Sequence, residues 1–182
     1  MPIDGTLIVD GVTHAFDNRP ENCRVRYAEL HNEGNFAAQA AWLPDAYTLT
    51  RDEYFRAFDA DTVGSCLFYE SPTDVAVYHS VGCWGVWRDN SPLTVGLEMR
   101  EKHPSRVFCY GAVSPGDGSK ALDQLEELVQ DSRIQGLKLY PIDFIDGKLQ
   151  GYEPNCLLSI LVKVAQAQDR EIAELKRELR RR

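Results

Sequence analysis

The sequence predicts an α/β domain built on a parallel sheet, and three observations carry that reading. Four short runs rich in β-branched and aromatic residues recur, at Leu7–Val12, Asp74–His79, Arg106–Val113 and Gln135–Tyr140, each bounded by turn formers. Each reads as nearly continuous apolar chain, as strands covered on both faces do. Segments of helical period lie between them, and strands that alternate with helices make βαβ units.

Taken in order, Leu7–Val12 forms the first strand and delivers Asp10 and His14 together at its C-terminal end. The connection to the second strand is long; Pro20–Pro44 is rich in Asn and Glu, with a small helical patch at Asn35–Trp42. Insertions of this kind serve as substrate lids or as plain spacers. A helix over Arg51–Phe58 follows from Tyr54, Phe55 and Phe58, and a weaker one covers Leu93–Glu101. Lys120–Asp131 is the strongest, with Leu122, Leu125, Leu128 and Val129 on one stripe and Ser119 placed to cap it. Glu70 and Asp74 flank the turn before the second strand and read as its caps.

Composition narrows the classes. At 182 residues with 43% hydrophobic and 26% charged content, the chain reads as globular and large enough for a real core. A net charge of −8 argues against nucleic acid as a partner. The charge is uneven: residues 1–150 hold 13 Lys+Arg against 23 Asp+Glu, and residues 151–182 hold 7 against 5. No apolar run approaches a membrane span, and no secretory leader is visible at the N-terminus, so the cytoplasm is the expected location. The five cysteines are odd in number and widely spaced, which is neither a disulfide framework nor a zinc ribbon. Cys66 and Cys109 sit among apolar residues and read as small buried hydrophobes. The segment 151–182 reads as a separate C-terminal helix, capped by Asn155. Leu158, Leu161, Ala165, Gln168, Ile172, Leu175 and Leu179 form a 3-4 seam along it. That seam suits a coiled coil, or a helix lying on its own domain.

Four segments, "VDGVTHAFDN", "FYESPTDVAVYHSV", "HPSRVFCYGAVSP" and "GLKLYPIDFIDGK", resemble successive strands of the amidohydrolase superfamily. They are most similar to its amidohydrolase-related branch, of the aminocarboxymuconate-semialdehyde decarboxylase type. The resemblance covers about residues 5–150 and keeps order and spacing. It implies the first half of a (β/α)₈ barrel, a partial TIM-like barrel of about four parallel strands. It also implies a divalent metal, usually zinc, at the C-terminal mouth, where barrel enzymes place their chemistry. Hydrolysis or non-oxidative decarboxylation of a small carboxylated or amide substrate would follow.

The first-strand motif of that family is an acidic residue followed by His-x-His. Here Asp10 and His14 match it, and Val12 stands where the first histidine would be. Asp10 and His14 are therefore the candidate metal residues. In the competing reading they hydrogen-bond one another or the loop backbone. Lys138, in "GLKLYP", is placed to neutralise an anionic substrate or to form a structural salt bridge. His79 is placed to contact substrate or to sit hydrogen-bonded in the core. His31 and His103 read as surface residues. No histidine follows His103, so the later metal ligands of the family have no counterpart in this sequence. Two expectations result. One is a metal-dependent hydrolase or decarboxylase of doubtful activity by itself. The other is a non-catalytic half-barrel that assembles through its C-terminal helix, either with itself or with a chain supplying the missing strands. Val77, Phe108 and Leu137, or their neighbours, would line the open barrel face.

Overall fold

The computed structural model describes residues 4–117, 119–140, 142–145, 148–152 and 176–177. Its centre is a four-stranded sheet of β1 (Val9–Thr13), β2 (Val75–His79), β3 (Val107–Val113) and β4 (Ile134–Leu139), ordered β1-β2-β3-β4. All three pairings are parallel, so the sheet is the one the sequence predicts.

One face carries the helices. Ala76 and Tyr78 of β2 and Val107 and Cys109 of β3 form the main core with Met99 of α4 (Leu93–Lys102), and Phe58, Val63 and Leu67 pack against it. Tyr78 is fully buried, and its hydroxyl donates to the Pro92 carbonyl at 2.7 Å. The ring lies directly under Gly96, where an added Cβ would meet Tyr78 Cδ1 at 2.2 Å. Farther along, Val113 packs with Ala121 and Leu125 of α5 (Ser119–Gln130), and Leu137 and Leu139 join that cluster. Leu137 therefore faces the helices. Of the positions expected to line the open barrel face, Leu137 gives way to its neighbours Gly136 and Lys138, because alternate strand residues point to opposite sides. An added Cβ at Gly136 would meet the Tyr110 ring at 2.5 Å, which places Gly136 on the face of Tyr110.

Other local expectations are corrected. The helical patch at Asn35–Trp42 is the end of a 17-residue helix, α1 (Arg26–Trp42), whose buried positions include Ala28, Asn32 and Gln39. The helix foreseen over Arg51–Phe58 ends early as α2 (Arg51–Tyr54), held by a Thr50/Glu53 capping box. A second helix, α3 (Ala60–Phe68), follows from an Asp59 N-cap. Cys66 lies on the outside of α3 and is exposed, whereas Cys109 is buried as expected. Asp74 accepts from the Ile8 amide at 3.0 Å, tying the start of β1 to β2. Beyond the sheet, β5 (Ile142–Ile145) and β6 (Lys148–Tyr152) form an antiparallel hairpin. The C-terminal helix expected over 155–182 lies outside the described residues, apart from Lys176 and Arg177, which are helical and exposed. Among the described residues no helix is long and apolar enough to cross a membrane.

Candidate functional site

The loops that leave β1 and β2 meet above the C-terminal end of the sheet. Asn22 laces them: its side-chain amide donates to the Asp17 and Asp89 carbonyls at 2.8 and 3.1 Å, and its Oδ1 accepts from the Asp89 amide. The Arg24 amide donates to the Val86 carbonyl, and the Arg88 amide to that of Asn22. Ala28 of α1 then packs with Val81, Cys83, Val86 and Trp87, and Tyr140 joins them. The long connection expected as a lid or a spacer is thus docked against the β2–α4 loop.

Beside this cluster the structure gathers His14, His79 and Lys138, with Asp10 close enough to act on both imidazoles. His79 ends β2, His14 follows β1 directly, and Lys138 is the penultimate residue of β4. The two histidines knit the strands together. His14 Nδ1 donates to the His79 carbonyl at 2.8 Å, and His79 Nε2 donates to the Gly11 carbonyl at 3.0 Å. A carbonyl accepts but cannot donate, so these bonds fix the tautomers. His14 carries its proton on Nδ1 and its lone pair on Nε2. His79 is the reverse, and its Nδ1 is sealed from solvent without a partner. The His14 ring stacks on Phe16 with centroids 4.8 Å apart, and His79 tilts against Tyr110 at the same separation. Lys138 Nζ lies 4.9 Å from the centre of the Tyr140 ring, and the lysine makes no ion pair among the described residues. Asp10 turns one carboxylate oxygen onto the Val12 amide at 3.0 Å.

Burial holds both imidazoles below their ordinary pKa. The nearby Lys138 ammonium pushes the same way, and the Asp10 carboxylate opposes it. The four side chains picked from the sequence therefore share one electrostatic neighbourhood. Four of the buried side-chain polar atoms without a partner, on Thr13, His79, Trp87 and Asn90, also lie at this end of the sheet. Native cores leave few such atoms, and a concentration of them marks a place to look for a ligand. A cavity of about 370 Å³, lined by Asn18, Cys23, Arg26 and Asn32 among others, opens beside α1, and none of the four site residues lines it.

The donor set does not suit zinc. Each histidine has one ring nitrogen committed to a carbonyl, and the remaining lone pair of His79 is sealed. Among the described residues no group of three or more His, Cys, Asp and Glu side chains is arranged to hold a metal, whereas a zinc site takes three or four protein ligands. Compared with family models, curated proteins and solved structures, the chain shows no match.

The lowered histidines set a pH dependence. The unfolded chain takes up protons near the ordinary value of 6.5, and the folded one resists. Their contribution to stability is therefore present above that value and is lost as pH falls through the lowered folded values. Asp89 works in the opposite sense, since burial and the Asp17 charge raise it to about 6. Its contribution is present at low pH and is lost as pH rises through that value. The urea midpoint is expected to fall between about pH 7.5 and about pH 5.5. The fall should shrink in the His14→Asn, His79→Gln double variant, which keeps an amide N–H where each ring N–H donates. An equal fall in the variant would remove the histidines as its cause.

Proposed function

We propose that this end of the sheet binds a small carboxylate- or amide-bearing molecule. We also propose that the chain corresponds to the first half of an amidohydrolase-related barrel, with hydrolysis or decarboxylation of that ligand as its chemistry. The observation that supports the reading best is the convergence of His14, His79 and Lys138, three strands' worth of sequence apart, on one neighbourhood. An ammonium that makes no ion pair among the described residues, beside two neutral imidazoles and the rings of Phe16 and Tyr110, can neutralise a carboxylate and stack on what the carboxylate is attached to. The C-terminal ends of parallel strands are also where α/β proteins place their ligands.

Benzoate is a suitable probe, with a carboxylate for Lys138 and a ring for the aromatic side chains. Calorimetry is expected to show binding that Lys138→Met weakens about tenfold or more, since a hydrogen bond to a charged group contributes about 1.5–3 kcal/mol. Lys138→Arg should retain most of it. Equal affinity in the wild-type chain and Lys138→Met would remove the lysine from the site.

A second reading, assembly with another copy, is favoured by a different observation. Val9 of β1 and Phe108 of β3, on the sheet face away from the helices, are 50% and 40% exposed.

A further inference from the structure

The two histidines are not equivalent, and the difference assigns them roles. On the reading that a small carboxylate binds here, we infer that His14 Nε2 is the proton-accepting atom of the site and that His79 is its positioning residue. The argument is geometric. The His79 carbonyl holds the His14 ring through Nδ1–H at 2.8 Å, and the stacked Phe16 ring restrains its plane. The atom left over is Nε2, the far nitrogen of a half-buried ring, which makes no hydrogen bond among the described residues. This is the arrangement that orients a catalytic imidazole: an acceptor fixes one nitrogen so that the other meets the reacting proton. His79 cannot take that part. Its Nε2–H is spent on Gly11 and its lone pair is sealed in the protein.

Proton transfer to His14 is simple to balance. The Nε2 lone pair forms the new N–H bond, and the electron pair of the broken bond stays on the donor, a water or a ligand hydroxyl or amide. Nδ1–H keeps its carbonyl throughout. The charged groups that act on the ring are Lys138 and His79, which oppose its protonation, and Asp10, which favours it. A carboxylate bound at Lys138 would cancel one of these two opposing charges. Ligand binding would thereby make His14 a better base, coupling recognition to proton transfer.

The test uses the full chain. Long-range ¹⁵N–¹H correlation spectra on ¹⁵N-histidine-labelled protein are expected to show His14 as the Nδ1–H tautomer and His79 as the Nε2–H tautomer. Adding benzoate should move the His14 titration midpoint upward, toward the ordinary 6.5. Diethyl pyrocarbonate, which acylates the bare nitrogen of a neutral imidazole, supplies an independent readout. Peptide mapping should find His14 modified at a rate within about tenfold of the exposed His31, and His79 at least about tenfold slower than His14. An Nε2–H tautomer at His14, or modification of His79 ahead of His14, overturns the assignment. The expected tautomers with no response to benzoate would overturn the carboxylate reading and leave the asymmetry of the pair standing. His14→Asn, which preserves a donor to the His79 carbonyl, should keep the fold and lose the benzoate-linked proton uptake. Uptake retained in that variant would place the accepting atom elsewhere.

Discussion

Replacing Gly96 by alanine is expected to cost about 3 kcal/mol of folding stability, the upper end of what overpacking a core usually costs. The added methyl would sit 2.2 Å from Cδ1 and 2.7 Å from Cε1 of Tyr78. The ring has no room to yield. It is fully buried in the core between sheet and helix, and its hydroxyl is bonded to the carbonyl of Pro92, the residue just before α4. The helix would have to lift from β2, opening the contact among Ala76, Met99 and Val107. The same exchange at Gly34 should act the other way. Gly34 lies in α1, and a Cβ there would meet nothing within 4 Å. Alanine in place of an interior helical glycine stabilises by up to about 1 kcal/mol. Urea unfolding of the two variants therefore separates packing from backbone propensity with one pair of measurements. A Gly96→Ala chain as stable as the wild type would mean that α4 does not lie on Tyr78 as described.

What the sequence disclosed, and what it hid, follows from where the physical information resides. The strands were readable because β-branched and aromatic residues cluster at them and little else competes. Helix α1 was readable only over Asn35–Trp42, since the residues it buries include the polar Asn32 and Gln39. Gln39 meets both the amide and the carbonyl of Leu49, at 2.8 and 3.0 Å, so a polar side chain does the anchoring that periodicity assigns to apolar ones. The β5–β6 hairpin carried a usable signal. Asp146-Gly147 stands between Ile145 and Lys148, a dipeptide suited to a two-residue hairpin connection. At the site, the residue types were readable one by one, but their partners were not. Backbone carbonyls of Gly11 and His79 fix the imidazoles, and a carbonyl belongs to every residue. Asn22 escaped notice for the same reason, because its partners Asp17 and Asp89 engage it mostly through the main chain.

The second large effect concerns the bare side of the sheet. On the assembly reading, the chain is expected to self-associate at micromolar concentration, and Val9→Lys with Phe108→Lys to dissociate it. Parallel sheets are ordinarily covered on both faces. Here Leu7, Val9, Val12 and Phe108 remain 59%, 50%, 57% and 40% exposed. Covering half of such a side chain contributes about 1 kcal/mol. Four of them on each of two protomers would then supply about 8 kcal/mol, against an association cost that starts at about 4 kcal/mol. The face alone falls short of a micromolar complex, for which about 8 kcal/mol net is required. The 3-4 seam of residues 158–179 would have to contribute the remainder. The face is thus not sufficient by itself. The two lysines remove half of the apolar contacts and should weaken association about a thousandfold, the equivalent of about 4 kcal/mol. Deleting residues 155–182 should also dissociate the complex. The lysine variant should keep most of its urea midpoint as an isolated protomer, because at both positions a lysine can run its stem along the surface and hold its ammonium in water. Light scattering across the micromolar range decides the matter: a wild-type chain that stays monomeric throughout rules out assembly, leaving the ligand-binding reading to account for the histidine site unaided.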